Sequence, residues 1–384
     1  MKENLNIVQA MDVYLPDVDG VINCMHNYSV NLCKKNNVLV AVPKNRKDYV
    51  DNFPYKITRC KSVRLSGLNQ YYGFPKSDKK FKKDIMERDI DIIHVHSPFA
   101  MSKFMLKVAQ KKNVPIVTTY HSNMEHIVKD VVKSRLLTNI FIRYLGKVYN
   151  KFDEVFVCSP LVEAQVRRCG YTGKVTYLPF GTDLEKCTNV DELREKADKE
   201  LALNQDELVF MYLGRVMKLK RIDFILDSLK LLKDKGLKFK FFVVGKGAEL
   251  NKLKKRSAKL GLEEEVKFLG FVARELIPLI YARADLFLFP SIYDNFALVK
   301  VEAAAYATPG LFIKGSCAGY EVTDGTDGFL SEDNVEAFAE KIESAVADRQ
   351  KLKQIGENAQ KSLYRSWAEC AEILNKRLVE IVGE

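Results

Sequence analysis

No Cys-x-x-Cys pair occurs among the eight cysteines, which argues against zinc-ribbon and thioredoxin-like chemistry and leaves reduced, scattered thiols as the plain reading. There is no G-x-G-x-x-G, so no dinucleotide fingerprint is present. The loop Asp324 to Phe329 spaces carboxylates and glycines but lacks the full calcium-loop pattern, and it reads as turns. The start, Met1 to Asn6, is polar and charged and leads into one short apolar run, unlike a secretory signal. No unbroken apolar stretch approaches the roughly 20 residues of a membrane-spanning helix, so any membrane contact is expected to be peripheral. No nucleic-acid module or interleaving of aromatic and basic residues is visible, and no nucleic-acid partner is expected.

The 384 residues suffice for two ordinary domains, and 47% hydrophobic and 29% charged residues describe a globular chain. The net charge of +11 points to an anionic partner, whether nucleic acid, a nucleotide or an anionic membrane surface.

Two series of apolar strands alternate with helices. The first begins with Leu5 to Ala10, a loop through Asp19-Gly20, and a helix from Val21 to Lys35. A strand, a glycine-containing loop and a helix start in succession suit a phosphate or sugar, which nominates Gly20. Lys44 to Lys83 reads as irregular; its lysines, Lys76 to Lys83, suit a solvated helix face or a phosphate-facing one. Strands at Asp91 to His96 and Val114 to Thr119 end in His96-Ser97-Pro98-Phe99 and Tyr120-His121-Ser122. Both histidines therefore fall on the carboxyl edge of a parallel sheet, where open α/β folds bind ligands. Val131 to Tyr149 reads as one long helix, apolar but punctuated by Lys133, Arg135, Arg143 and Lys147, with Lys129 and Lys151 flanking it. Two readings stand for it: a membrane-surface element, or a helix packed on the sheet with its basic side outward. Asp183 to Asn204 is charged and reads as helix or linker.

The second series starts at Leu208 to Leu213. Arg215 and Lys220 follow at a strand–loop–helix junction, and two long cations there suit a diphosphate. Leu286 to Phe289 is an apolar strand, followed by turn residues and a helix that starts near Leu298. The first N–H groups of such a helix lack internal partners, and its dipole favours an anion. Asp294 and Glu302 bracket that start, and carboxylates suit hydroxyl recognition at the sugar and ribose ends of a nucleotide-sugar.

Asp294 to Pro309 resembles the acidic signature of retaining GT-B glycosyltransferases of family 4, a Glu…Glu pair before a small-residue helix and Thr-Pro. Asp294 replaces the first Glu, Ala297 stands where Gly is usual, and the spacing to Glu302 is kept. Gly214-Arg215…Lys220, Pro179-x-Gly181-x-Asp183 and Gly245-x-Gly247 resemble the same family. His-Ser-Pro-Phe with Thr-Tyr-His resembles its diacylglycerol glucosyltransferase branch. The resemblance implies an α/β GT-B architecture of two doubly wound Rossmann-like domains facing a cleft. Residues 1–184 would bind the acceptor, 185–365 the nucleotide-sugar, and a last helix, 366–384, would cross back to the first domain. It implies transfer of a hexose, from a donor expected to be UDP-glucose, to a lipid acceptor such as diacylglycerol. A soluble or polysaccharide acceptor, and a silent nucleotide-sugar binder, are the alternatives. The roles implied are catalysis by His121, Arg215, Lys220 and Asp294, donor contacts from Gly20, Val272, Phe296, Ala297, Leu298, Val299 and Glu302, and an acceptor-side place for His96. No metal is expected, because the cations and the helix start would stabilise the leaving phosphate. Asp17-Val18-Asp19 and Asp89-Ile90-Asp91 carry the Asp-x-Asp pattern of metal-dependent transferases, but one precedes a helix and the other leads a strand. A cytoplasmic protein on the inner face of the membrane is the implied location, and the oligomeric state is open.

Overall fold

Apolar runs become parallel strands here because helices on both faces remove them from water. The computed structural model describes residues 4–17, 19–45, 49–65, 70–132 and 134–384; Val18 and Lys133, which figure in the expectations above, lie outside them. The chain divides into two units, Met1–Gly181 with Trp367–Glu384, and Thr182–Ser366.

The first unit carries β1 (Asn6–Ala10), β2 (Asn37–Pro43), β3 (Lys56–Cys60), β4 (Ser62–Leu65), β5 (Gln70–Gly73), β6 (Ile92–Val95), β7 (Ile116–Thr119), β8 (Glu154–Val157) and β9 (Lys174–Tyr177). Seven of these form a parallel sheet in the order β3-β2-β1-β6-β7-β8-β9, and β4 and β5 pair as an antiparallel hairpin. The sheet order reverses between β1 and β6, the kind of switch point that opens a crevice at the carboxyl edge. The last helix, Trp367–Gly383, belongs to this unit. Trp367 lies 5.2 Å from the Tyr28 ring, and Arg377 donates to the buried carboxylate of Glu154 at 2.6 Å.

Two expectations change here. The stretch taken as irregular contains β3, the hairpin and a helix, Lys79–Glu87, capped by Asp78, whose carboxylate accepts from Phe81 N at 3.1 Å. β3 is an edge strand, half-exposed and polar on one face, so it lacks the apolar run of its neighbours. The single long helix is two, Met124–Val132 and Arg135–Tyr149, and Ser134 caps the second through Leu137 N at 3.4 Å. The charged run after Asp183 contains a helix, Val190–Leu201.

The second unit holds β10 (Val209–Leu213), β11 (Lys240–Val244), β12 (Val266–Gly270), β13 (Leu286–Phe289), β14 (Gly310–Ile313) and β15 (Phe329–Ser331) in one parallel sheet, ordered β12-β11-β10-β13-β14-β15. Its reversal falls between β10 and β13. Both units are thus Rossmann-like. None of the eight cysteines is disulfide-bonded, and no described helix is long and apolar enough to cross a membrane.

Candidate active site

Strand order decides which loops meet at the second sheet's carboxyl edge. Val272 follows β12, Gly245 follows β11, Arg215 and Lys220 follow β10, and Asp294 and Phe296 follow β13, and these four strands are consecutive neighbours. The loops after β10 and β11 nest closely. A side chain at Gly245, where φ is +134°, would put Cβ 1.9 Å from the Gly214 carbonyl oxygen, so only glycine fits. Tyr212 lies beneath, donating to the Arg215 carbonyl at 2.9 Å.

Because β10 and β13 are adjacent, Lys220 Nζ reaches Asp294 Oδ1 at 2.5 Å while lying 5.3 Å from the centre of the Phe289 ring. Two residues named from sequence for separate tasks are therefore bonded to each other. The pair is half-buried, and a bound anion would compete with Asp294 for the ammonium. Arg221, which sequence reasoning missed, adopts φ +56°, donates to the Pro290 carbonyl at 3.2 Å and pairs with Asp333, tying the same two loops together.

The helix Leu298–Ala305 begins after Ala297, which provides no side-chain cap, so its first N–H groups remain available to an anion. Leu298 and Val299 form its first turn, and Phe296 precedes it. Lys300, a second residue not anticipated, is buried beneath: Nζ donates to the Tyr320 carbonyl at 2.6 Å and lies 5.3 Å from the centre of the Phe296 ring. Glu302 accepts from the Tyr281 hydroxyl at 2.9 Å. Burial pushes its carboxyl above the usual range, and the Tyr281 bond opposes that shift. The Thr-Pro after the helix also has a physical role, since Thr308 Oγ1 donates to the Tyr281 carbonyl at 2.6 Å.

The first unit's carboxyl edge is separate. Asp19, before Gly20, caps the helix Gly20–Leu32 by accepting from Val21 N and Ile22 N at 2.9 and 2.8 Å. The carboxylate thus already occupies the helix start where Gly20 was expected to meet an anion. Asp12, also unanticipated, does the same for the helix Ala100–Lys112: it accepts from Met101 N at 2.8 Å and from the Ser97 hydroxyl at 2.6 Å. Burial raises its pKa against those bonds.

His96 is buried at 3% exposure, with both ring nitrogens spent: Nε2 is 2.7 Å from Gln9 Oε1 and Nδ1 is 2.9 Å from His121 Nε2. It is a support beneath His121, not a group open to an acceptor. His121 is half-buried and stacks on Phe180 at 5.6 Å. His94 lies fully buried beside them, Nε2 2.7 Å from Thr119 Oγ1. Burial holds all three rings neutral, with His94 and His121 pushed down to about 3. Gln9 and the His94 contact carried no sequence signal beyond strand register, since Gln9 pairs with His94 across β1 and β6.

A cavity of about 540 Å³ opens at the opposite, amino-terminal end of the second sheet, against Asp285 and Pro309. Two pairs of its charges are matched internally, Arg194 to Asp285 at 2.5 Å and Lys353 to Asp191 at 2.9 Å, and it holds none of the site residues. No cluster of three His, Cys, Asp or Glu residues able to hold a metal occurs among the described residues.

Known proteins match both halves. Residues 18–186 fit the model of Glycosyltransferase Family 4, and residues 194–362 that of Glycosyl transferases group 1. The chain belongs to the GT-B glycosyltransferases of family 4. This family-4 transferase is 26% identical over 310 residues to an alpha-monoglucosyldiacylglycerol synthase of Streptococcus pneumoniae, covering 78% of this chain and 68% of that one. It is 25% identical over 335 residues to the synthase of the same name from Acholeplasma laidlawii, covering 85% and 84%. Anabaena Alr3699/HepE, solved in complex with UDP, superposes with a TM-score of 0.79 at 19% identity, covering 98% of this chain and all of that one. At that identity the likeness concerns the fold.

Proposed function

We propose that this transferase moves glucose from UDP-glucose to diacylglycerol at an anionic membrane surface, with retention of anomeric configuration and without a metal. The observation that carries the donor side is the second unit's carboxyl edge, where Arg215, Lys220 and the uncapped helix start at Leu298 gather positive potential beside Asp294 and Glu302. Charge developing on the departing UDP would be met there by fixed cations and N–H groups, which supply electrostatic stabilisation without a Lewis acid.

The lipid side is supported by the similarity to two alpha-monoglucosyldiacylglycerol synthases over most of the chain. It is also supported by the helix Arg135–Tyr149. Leu136, Leu137 and Ile140 are 70%, 54% and 55% exposed there, beside exposed Arg135, Arg143 and Lys147. Apolar side chains fringed by cations suit the interface of an anionic bilayer. The location proposed is the cytoplasmic face of the cell membrane.

The test is UDP release from UDP-glucose against diacylglycerol vesicles, a soluble sugar panel and no acceptor, each repeated after exhaustive EDTA treatment, with products identified by mass. Glucosyl-diacylglycerol formed equally with EDTA supports the reading. Turnover only on a soluble acceptor, or only with added magnesium or manganese, overturns the corresponding part. UDP binding without turnover on any acceptor would mark a silent binder.

A further inference from the structure

Gln9, His96 and His121 of the first unit form a hydrogen-bonded series that runs in one direction. Gln9 Oε1 can only accept, so His96 Nε2 carries the proton in their 2.7 Å bond. A neutral His96 then has a bare Nδ1, and the 2.9 Å contact requires His121 to donate from Nε2. His121 is left with a bare Nδ1 that bonds to no described residue. At the other end Gln9 Nε2 is buried without a partner, and His94, which bonds Thr119 through Nε2, lies beside the series and not in it. Reversing the Gln9 amide would reverse every bond in the series and turn His121 Nδ1 into a donor.

We infer that Gln9, acting through His96, selects the tautomer of His121, so that His121 offers a bare Nδ1 to a substrate hydroxyl; Gln9 and His96 are positioning residues for transfer. The substrate half of this rests on the transferase reading above; the tautomer half rests on the hydrogen bonds alone. Burial keeps the rings uncharged, so tautomer and not charge is the property left to set. Orientation is already constrained, because His121 lies within 21° of parallel to His96 and 24° of Phe180.

The 384-residue chain, labelled with ¹⁵N in its five histidines, allows a direct reading by long-range ¹H–¹⁵N correlation, with single-histidine variants for assignment. In the wild type His121 should be protonated at Nε2 and bare at Nδ1. Gln9→Met and His96→Phe should each shift His121 toward an even mixture and lower UDP-glucose turnover on diacylglycerol vesicles about tenfold. Calorimetric UDP affinity, which reports the second unit, should not change. Val40→Ala is the packing control, since Val40 is the register partner of Gln9 on β2 and carries no polar side-chain atom; it should leave the tautomer as in the wild type. The inference is overturned by His121 protonated at Nδ1 in the wild type, by an unchanged tautomer in Gln9→Met, by an equal shift in Val40→Ala, or by a shifted tautomer with undiminished turnover. A wild type inert toward UDP-glucose strikes the functional reading, while the spectra, recorded without substrate, still decide the tautomer.

Discussion

Acid should weaken the first unit well above the pH at which carboxylates usually control stability. His94, His96 and His121 are held neutral by burial, with His94 and His121 pushed from 6.5 to about 3. Unfolding frees each ring to bind a proton near 6.5. The neutral-state advantage is therefore complete above that value and is lost as pH falls from 6.5 toward 3. For His94 alone, lowering the pH from 7 to 5 costs about 2 kcal/mol, and His121, whose ring is half-buried, adds to the loss in the same direction. His96 acts in the same direction, and Asp12, whose pKa is raised, opposes it. A loss of that size is a large share of ordinary domain stability. The protein has a single tryptophan, Trp367, buried against Tyr28 and Phe180 in this unit. Urea unfolding followed by its fluorescence at pH 7, 6 and 5 reports the first unit directly. The midpoint should fall steadily, and the ring protons of the three histidines should not titrate in the native state. A midpoint constant from pH 7 to 5, or native titration of these rings near 6.5, would refute the reasoning.

Truncating Arg215 or Lys220 to Ala should lower kcat/KM by about 2–4 kcal/mol, and wild-type turnover in both would remove the diphosphate role. Asp294→Asn should impair transfer by roughly 1.5–3 kcal/mol if the carboxylate bonds a sugar hydroxyl. UDP affinity measured by calorimetry should hold or rise in that variant, because the partner at 2.5 Å from Lys220 loses its charge. Glu302→Gln should weaken UDP itself; equal UDP affinity in both variants would contradict the assignment. Arg377→Ala strands Glu154, which is 2% exposed, and thermal unfolding should show a loss of about 3–5 kcal/mol; a change under 1 kcal/mol would mean Lys174, at 3.8 Å, suffices. Anionic vesicles should sediment the protein at low salt and release it at high salt, and equal sedimentation with neutral vesicles would remove the electrostatic part of membrane attraction.

The alternation of apolar runs and helices already determined two Rossmann-like units, because a strand buried on both faces must be apolar throughout and its crossover helix must follow it. Local chemistry likewise determined the loops that carry Arg215, Lys220 and Asp294 and the helix that carries Glu302, since turn residues after a buried strand fall at the sheet's carboxyl edge whatever the neighbours are. Elements with weaker local signals escaped that reading. β3 is a half-exposed edge strand, and the start of the helix Arg135–Tyr149 is marked by a single cap, Ser134. Contacts between elements distant in sequence were decided by the tertiary structure alone. The Lys220–Asp294 bond exists because β13 lies next to β10, and Asp12 caps a helix far along the chain because β1 lies next to β6. His96 became a buried support because Gln9 stands on the adjacent strand and His121 on the next loop. Strand order is settled by the packing of whole faces, and no spacing along the chain records it.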